Sequence, residues 1–238
     1  MATTFITLVN DTLRRLNEVE LTSTDFATAT GFRAQVKDSV NASLQEISQK
    51  EFEFPFNYTS ASLTLSSGTA EYSLATDFKI ADWDSFRIAK DDSISADARL
   101  LRLINYDTFI ARFYERDGNA TSSDFSNPVY VYRTLSNKAG FSPIPDKAYT
   151  VNYNYFAFAN DLVNDTDTMA VPDQFKHVVI DGALYHTYMF RDNAQQAAIT
   201  KQKFEEGVER MRTLLINRFT DIRDTRVGRL IAVPHGSF

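Results

Sequence analysis

The chain of 238 residues contains three histidines and no cysteine, so thiol chemistry and thiolate metal sites are excluded and imidazole is scarce. His177 and His186 lie nine residues apart, not at the four-residue spacing that puts two metal ligands on one face of a helix. HExxH, GxSxG, Walker and GxGxxG motifs are absent from the sequence. These observations predict a protein with no catalytic residue, no cofactor and no metal, and therefore not an enzyme.

One acidic cluster has the residue types of a calcium loop. Asp161, Asn164, Asp165 and Asp167 could supply oxygen ligands, but the glycine and the closing bidentate glutamate of an EF-hand are missing. A solvated loop is the favoured interpretation.

A second acidic cluster surrounds the single tryptophan. Asp82 and Asp84 flank Trp83, and Asp91 and Asp92 follow, so a carboxylate pair could act as general acid and base or line a sugar site. Short acidic loops between strands are common, so we favour a structural interpretation. A carbohydrate-binding or hydrolytic function stays open as the weaker alternative.

Basic residues recur at three-residue spacing near the C-terminus. Nucleic acid could explain them, but Asp221 and Asp224 lie among the arginines, and the net charge of the chain is −6. The preferred interpretation is a partly neutralised C-terminal arm, residues 220–238, that docks on another protein. Its candidate contact residues are Arg223, Arg226, Arg229, Leu230, Ile231 and Val233.

Hydrophobic periodicity places helices at both ends of the chain. Apolar residues recur every three or four positions in 4–16 and in 32–49, and a polar linking loop is expected at 17–30. The same period returns after Pro172 as an antiparallel pair of helices, and Asp192 with Gln195 resembles a capping pair that opens the second. The predicted apolar faces of this pair are Phe175, Val178, Val179, Gly182, Ala183, His186 and Met189, then Ala197, Phe204, Val208, Met211 and Leu215.

Between the helical segments the period changes to two. Leu63 and Leu65, the Ser-Ser-Gly cluster at 66–68, and Tyr72 with Leu74 predict a β-hairpin.

Further strands are predicted at 86–88, 129–133 and 149–155, with a short helix at 106–114. In the strand at 149–155 the tyrosines favour a packed sheet face over a nucleic-acid stacking platform, because the basic residues that such a platform needs are absent. The residues expected to share this face are Tyr149, Val151, Tyr153 and Tyr155.

The alternation of these segments predicts an α+β protein. Its expected parts are N-terminal helices at 1–50, a β-rich insertion at 51–171, a helical hairpin at 172–219 and the arm at 220–238. No stretch approaches the roughly 20 apolar residues that cross a bilayer, so neither a signal peptide nor a membrane anchor is expected. The lack of cysteine fits assembly in a reducing cytoplasm.

Several stretches, in this order, resemble the head-to-tail adaptor proteins of tailed bacteriophages, also called connector or tail tubular protein A-like proteins. They are TFITLVNDTLRRLNEV, LTLSSGTAEYSLATDF, AGFSPIPDKAYTVNYNY, VPDQFKHVVIDGALYHTYMFRD and KFEEGVERMRTLLINR.

The resemblance implies an antiparallel bundle built from the N- and C-terminal helices, with an antiparallel β-rich region inserted. It also implies a structural protein of the virion neck, assembled in the host cytoplasm as a homo-oligomeric, dodecameric ring beneath the portal. The arm would reach onto the portal protein, and tail nozzle or tail-tube proteins would bind the opposite face. DNA would pass through the ring, on its way to ejection, without sequence-specific binding, and no membrane would be involved. Another head-completion, tail-terminator or tail-tube role shares most of these features and stays open.

Overall fold

The computed structural model describes residues 3–50, 52–89 and 98–216. The chain divides into two compact units. The helical unit comprises 1–55 and 161–238, and the sheet unit comprises 56–160. Helices and mainly antiparallel strands occur together, which confirms the predicted α+β class.

The helices of the described residues are α1 (Phe5–Arg15), α2 (Ser23–Phe26), α3 (Phe32–Gln49), α4 (Tyr106–Arg112), α5 (Tyr114–Gly118), α6 (Lys176–Phe190) and α7 (Ala194–Leu215). The strands are β1 (Tyr58–Leu65), β2 (Glu71–Tyr72), β3 (Phe78–Ala89), β4 (Ala98–Leu100), β5 (Arg102–Leu103), β6 (Tyr130–Arg133), β7 (Ala139–Ser142) and β8 (Tyr149–Ala157).

The start of α1 is held by the loop that precedes α6. No side chain caps this helix. Instead, the backbone N–H groups of Phe5 and Ile6 donate to the carbonyl oxygens of Asp167 and Asp165, at 2.7 and 3.1 Å. The first N–H groups of any helix need such partners. Helices α1 and α3 therefore form where the period predicted them, and both pack against α6.

The linking loop predicted at 17–30 is wrong in one place, because it contains the single turn of α2. Thr22 caps this turn by accepting a hydrogen bond from the backbone N–H of Asp25 at 3.2 Å. Phe26 is fully buried and packs edge to face on Phe5, with ring centroids 5.0 Å apart. Four residues are too few to show a helical period, so the sequence pattern could not reveal the turn.

Helix α7 begins with a different cap from the predicted one. Asn193, not Asp192, accepts a hydrogen bond from the backbone N–H of Gln196, at 3.2 Å. Asp192 instead adopts a left-handed φ of 54° after the end of α6. Met189, predicted on the buried face of α6, is 55% exposed because it lies in the last turn of that helix.

The strands described in the sheet unit form two four-stranded sheets, in the orders β1-β8-β3-β4 and β2-β7-β6-β5. All pairs are antiparallel except β5 with β6, which is parallel. The two sheets share one hydrophobic core, in which the Phe86 ring lies 6.5 Å from the Phe141 ring.

The hairpin predicted from 63–74 is wrong. β1 pairs with β8 along its whole length, whereas β2 pairs with β7 in the other sheet. The segment between them crosses from one sheet to the other, and the hydroxyl of Tyr72 donates to the carbonyl oxygen of Ser66 at 3.0 Å. A period of two shows that a strand has one buried face, but it does not specify the partner strand.

Candidate interaction surfaces

The predicted contact residues of the arm lie outside the described residues. They are Arg223, Arg226, Arg229, Leu230, Ile231 and Val233. What the structure describes is the helix that precedes them, α7, up to Leu215 and Ile216.

Close contacts with α6 fix the position of α7. At Gly182 of α6, a Cβ atom would lie 2.2 Å from Ser43 Oγ of α3 and 2.8 Å from the Phe204 ring of α7. At Gly207 of α7, a Cβ atom would lie 2.8 Å from Val178. Since 182 faces 204 and 178 faces 207, α7 runs back along α6. Only glycine allows the backbones to approach this closely. The position of α7 relative to α6 is therefore fixed by packing.

A groove of about 820 Å³ runs beside the C-terminal half of α7 and the segment that follows α3. Within it, Arg212 lies 3.3 Å from Glu209 and places its guanidinium 4.9 Å from the centre of the Phe52 ring. Arg210 lies 3.7 Å from Glu206, which is four residues earlier on the same helix. The groove is lined by Lys50, Phe52, Glu205, Glu206, Val208, Glu209, Arg210 and Arg212.

Six of the eight residues that line this groove are charged, and Phe52 and Val208 add apolar surface. The carboxylates of Glu206 and Glu209 each lie beside an arginine at the surface, and such exposed pairs contribute only about 0–1 kcal/mol. The sequence analysis did not single out the groove, because it forms only when α7 and the segment after α3 come together.

Asp82 and Trp83 of the acidic cluster make contacts that stabilise the sheet unit. Asp82 accepts a hydrogen bond from the Tyr58 hydroxyl at 2.8 Å. The Trp83 ring stacks on Phe86, with centroids 5.2 Å apart and an interplanar angle of 8°, so one face of the indole packs against the core. Asp91 and Asp92 lie outside the described residues. The weaker alternative, a sugar site, would need an open indole face beside carboxylates, whereas here one face of the indole is packed and Asp82 is hydrogen-bonded to Tyr58.

The loop at 161–167 is likewise organised by its own hydrogen bonds. Asp161 accepts from Gln45 Nε2 at 2.7 Å. Asp167 accepts from the backbone N–H groups of Asn164 and Val163, each at 2.8 Å, and these bonds lower the pKa of its carboxyl group. Among residues 3–50, 52–89 and 98–216, no three histidine, aspartate or glutamate side chains are grouped in a way that could hold a metal ion.

His177 and His186 lie in different environments. His177 is exposed, whereas His186 is half-buried with its Nε2 atom 3.3 Å from a carboxylate oxygen of Glu46. His235 lies outside the described residues.

The tyrosines of β8 form a packed face, as predicted. Tyr149 and Tyr155 donate their hydroxyl protons to Asp146 and Asp77 at 2.7 and 2.8 Å. Burial, which disfavours the charged phenolate, raises the pKa of both Tyr149 and Tyr155 to about 12. Tyr153 accepts from the backbone N–H of Ala75 at 2.9 Å. These rings hold the sheet unit together and are not available as a stacking platform.

Comparison with known families decides what these surfaces belong to. Residues 3–230 match the sequence profile of the family described as SU10 adaptor protein, a family of phage head-to-tail adaptors. The chain belongs to this family. No curated protein matches the chain closely. The adaptor match confirms the resemblance found in the sequence, and it includes four of the six arm residues, Arg223 to Leu230.

As an adaptor, the protein is a structural component of the phage virion, at the neck between head and tail. Membership implies association with portal and tail proteins and with further copies of the chain. In the described part of the adaptor, no helix is both long and apolar enough to cross a membrane.

Proposed function

We propose that this adaptor forms a dodecameric ring beneath the portal, joins the portal to the tail and continues the channel through which DNA is ejected. The observation that supports this proposal is the family match over residues 3–230. A ring of identical subunits needs a heterologous contact whose rotation closes, and a portal of the same symmetry would supply the template. The net charge of −6 suits a channel that DNA traverses without binding to a specific sequence.

The two units and the arm have separate tasks in this proposal. The helices of 1–50 and 172–219 form an antiparallel bundle that is the body of the ring subunit, and the β-rich insertion at 51–171 offers surface to tail nozzle or tail-tube proteins. The protein acts through these interfaces and not as an enzyme. Consistent with this role, Asp82, Asp161 and Asp167 accept hydrogen bonds from neighbouring side chains or backbone.

The arm is the portal-binding element. Arg223, Arg226 and Arg229 offer charge, and the apolar residues that follow offer anchors. The arm follows α7 in the chain, and the position of α7 is fixed by close packing at Gly182 and Gly207. Binding of the arm to the portal would therefore attach the helical unit to the portal.

Co-sedimentation with the purified cognate portal tests this role. We expect deletion of 220–238 to abolish binding, and replacement of the three arm arginines by alanine to weaken it by at least about tenfold, with a smaller salt dependence than in the unaltered protein. A matched control removes three exposed arginines of the sheet unit, Arg87, Arg102 and Arg133, and should bind normally.

Undiminished binding by the truncated protein would show that the arm is not the docking element. Ring stoichiometry is measured separately, by electron microscopy of the adaptor bound to its portal. A ring of other than twelve subunits would contradict the dodecamer without affecting the role of the arm.

A further inference from the structure

The edge strands of the two sheets differ in how well they are protected. An edge strand presents unpaired backbone N–H and C=O groups that can bond to another chain, and short length and charged side chains limit this pairing. Among the described strands, β2, β4 and β5 have two or three residues each, and each carries one charge, on Glu71, Arg99 and Arg102. The remaining edge strand, β1, has eight residues and carries no charge.

β1 presents a regular and uncharged edge. Its sequence, YTSASLTL, contains neither proline nor glycine, and its register with β8 is unbroken over all eight residues. β8, the next strand of the sheet, is uncharged as well. Among the described residues, no backbone group outside the first sheet bonds to β1. A strand of this kind can accept a further strand.

The core side of β1 is incompletely covered. Ala61 and Leu63 pack against the hydrophobic core opposite Tyr153 and Val151 of β8, which are buried. Ala61 and Leu63 themselves are only half-buried. A neighbouring strand with apolar side chains at matching positions would cover them.

We propose that β1 pairs antiparallel with β1 of a second copy in the free adaptor. Of the edge strands described in a second copy, only β1 is long enough to match this edge along its whole length. The net charge of the chain is −6, so two copies repel each other, whereas two uncharged edges meet without placing like charges opposite each other. An antiparallel pair of identical strands has two-fold symmetry, the commonest symmetry of homo-oligomers.

The residue pattern of β1 is self-complementary in one register. When Ser62 lies opposite Ser62 of the partner subunit, Ala61 lies opposite Leu63 and Thr59 lies opposite Leu65. Core-side residues then meet core-side residues, and the serines and threonines at the alternate positions meet on the outer face. The half-buried Ala61 and Leu63 of each copy therefore cover those of the other copy.

This pairing stops at two copies. The described strands of the joined sheet number eight, with β4 at both ends. β4 is short and carries Arg99, so it does not offer a further edge of the same kind. The pair also differs from a ring, because like surfaces meet across a two-fold axis, whereas neighbours in a ring meet through two different surfaces.

The consequence for assembly rests on the proposed function, in which subunits form a ring on the portal. The pair has to separate before a subunit enters that ring, so pairing of β1 keeps free adaptor out of rings until the portal is present. A contact along one strand edge is small, and small interfaces are typical of transient complexes that separate readily.

Sedimentation velocity of the full-length adaptor, without the portal, tests the pairing. Over a range of about 100-fold in protein concentration, we expect the mass to rise from that of one chain to that of two. Ser62→Lys places two like charges opposite each other in the pair, so it should raise the dissociation constant of the dimer by at least about tenfold.

Asn152→Lys is the matched control. Asn152 is exposed and lies directly beside Ser62, on β8. In the pair, the two residues at position 152 are separated by three strand spacings, about 14 Å, which exceeds the Debye length of ~10 Å at 0.1 M salt. This variant should therefore dimerise like the unaltered protein.

Disulfide formation gives a second measurement that adds no charge. The chain contains no cysteine, so Ser62→Cys introduces a single thiol that lies opposite its equivalent in the proposed register. Directly opposed Cβ atoms are about 4.5–5.5 Å apart, close to the separation that a disulfide requires. Under mild oxidation, we expect a cross-linked dimer from Ser62→Cys and none from Asn152→Cys.

A chain that stays monomeric over this range of concentration would overturn the proposal, as would a dimer that Ser62→Lys leaves intact. Rings that form without the portal would also overturn it. Should Ser62→Lys fail to fold, the two cysteine variants decide the matter. If the free protein is monomeric while deletion of 220–238 abolishes portal binding, the proposed function stands and only this inference fails. If the dimer forms while the truncated chain still binds the portal, the pairing stands and the role of the arm fails.

Discussion

The helical unit and the sheet unit satisfy their buried polar groups in different ways. In the helical unit, Thr12 and Thr187 donate to carbonyl oxygens four residues earlier on their own helices, at 2.8 Å each. In the sheet unit, Tyr153 and Tyr155 bond to groups 78 residues away in sequence. Most buried hydroxyl groups of the helices are therefore satisfied locally. Ser43 of α3 is the exception, because it donates to the carbonyl oxygen of Val179 on α6 at 2.9 Å. Close packing at glycines also joins the helices. The sheet unit is joined by aromatic rings whose hydroxyl groups reach distant loops.

This difference predicts where each unit is vulnerable. The helical unit should be most sensitive to changes of charge and volume where helices meet, because its interhelical contacts leave no spare space. The sheet unit should be most sensitive to loss of the hydrogen bonds that tie loops to β8.

The largest effect is expected from Phe204→Asp. Phe204 is fully buried on α7 and lies against Gly182 of α6, so the substitution loses the aromatic packing and buries a carboxylate without a partner. The free energy of unfolding should fall by more than about 4 kcal/mol, and the helical unit should no longer unfold cooperatively. Circular dichroism during thermal denaturation measures this.

Leu214→Asp is the matched control for this substitution. Leu214 lies on the same helix but is 57% exposed, so the aspartate remains in water. We expect a change within about 0.5 kcal/mol. A folded, stable Phe204→Asp protein would mean that the interface between α6 and α7 does not hold the helical unit together.

An intermediate effect is expected from Gly182→Ala. The new methyl group would overlap both Ser43 Oγ and the Phe204 ring, which belong to two different helices, so neither helix can move away without disturbing α6. Overpacking of this kind costs about 1–3 kcal/mol, measured from denaturant unfolding.

Gly118→Ala serves as the control, because nothing lies within 4 Å of the position that its Cβ atom would occupy. It should be neutral or slightly stabilising. If the two alanine variants were equally stable, the helical unit would be more loosely packed than its glycine contacts indicate.

The sequence predicted best those features that repeat over several turns. α1 and α3 extend over three or more turns, and their bounds agree with the predicted segments to within one residue. The hairpin at 63–74 failed because partners are chosen by the whole sheet, and β1 found β8 more than 80 residues later in the chain. The cap at Asn193 was missed because two adjacent residues, Asp192 and Asn193, both have the chemistry of a cap and only backbone geometry distinguishes them.

Of the candidate surfaces, one could be recognised in the sequence and the other could not. The arginine spacing of the arm is visible in the sequence, since it needs no tertiary contact to be recognised. The groove beside α7 joins residues near 50 to residues near 210, so it could not be recognised before the chain was folded. In the helical unit, sequence pattern and packing agree. In the sheet unit, the pattern indicates which residues are buried but not which strands are neighbours.

The smallest effect is expected from Tyr155→Phe, which tests the sheet unit alone. The substitution removes the hydrogen bond to Asp77, which is half-buried and can be hydrated instead, so at neutral pH the cost should be about 0.5–1.5 kcal/mol. Tyr114→Phe, which alters an exposed ring in the same unit, should cost nothing measurable.

The pH dependence gives the sharper result. The pKa of Tyr155 is raised to about 12 in the folded protein, whereas an unfolded tyrosine has a pKa of about 10. Below pH 10 both states keep the proton, so the stabilisation is fully present. Between pH 10 and 12 the unfolded state loses protons that the folded state retains, and stability falls as pH rises. The ultraviolet absorbance of tyrosinate should therefore show Tyr149 and Tyr155 ionising near pH 12 or on unfolding, and Tyr155→Phe should remove amplitude from that late part of the titration. If the lost amplitude lay near pH 10 instead, the Tyr155 hydroxyl would be in water, and hydrogen bonds from β8 to distant loops would not be what holds the sheet unit together.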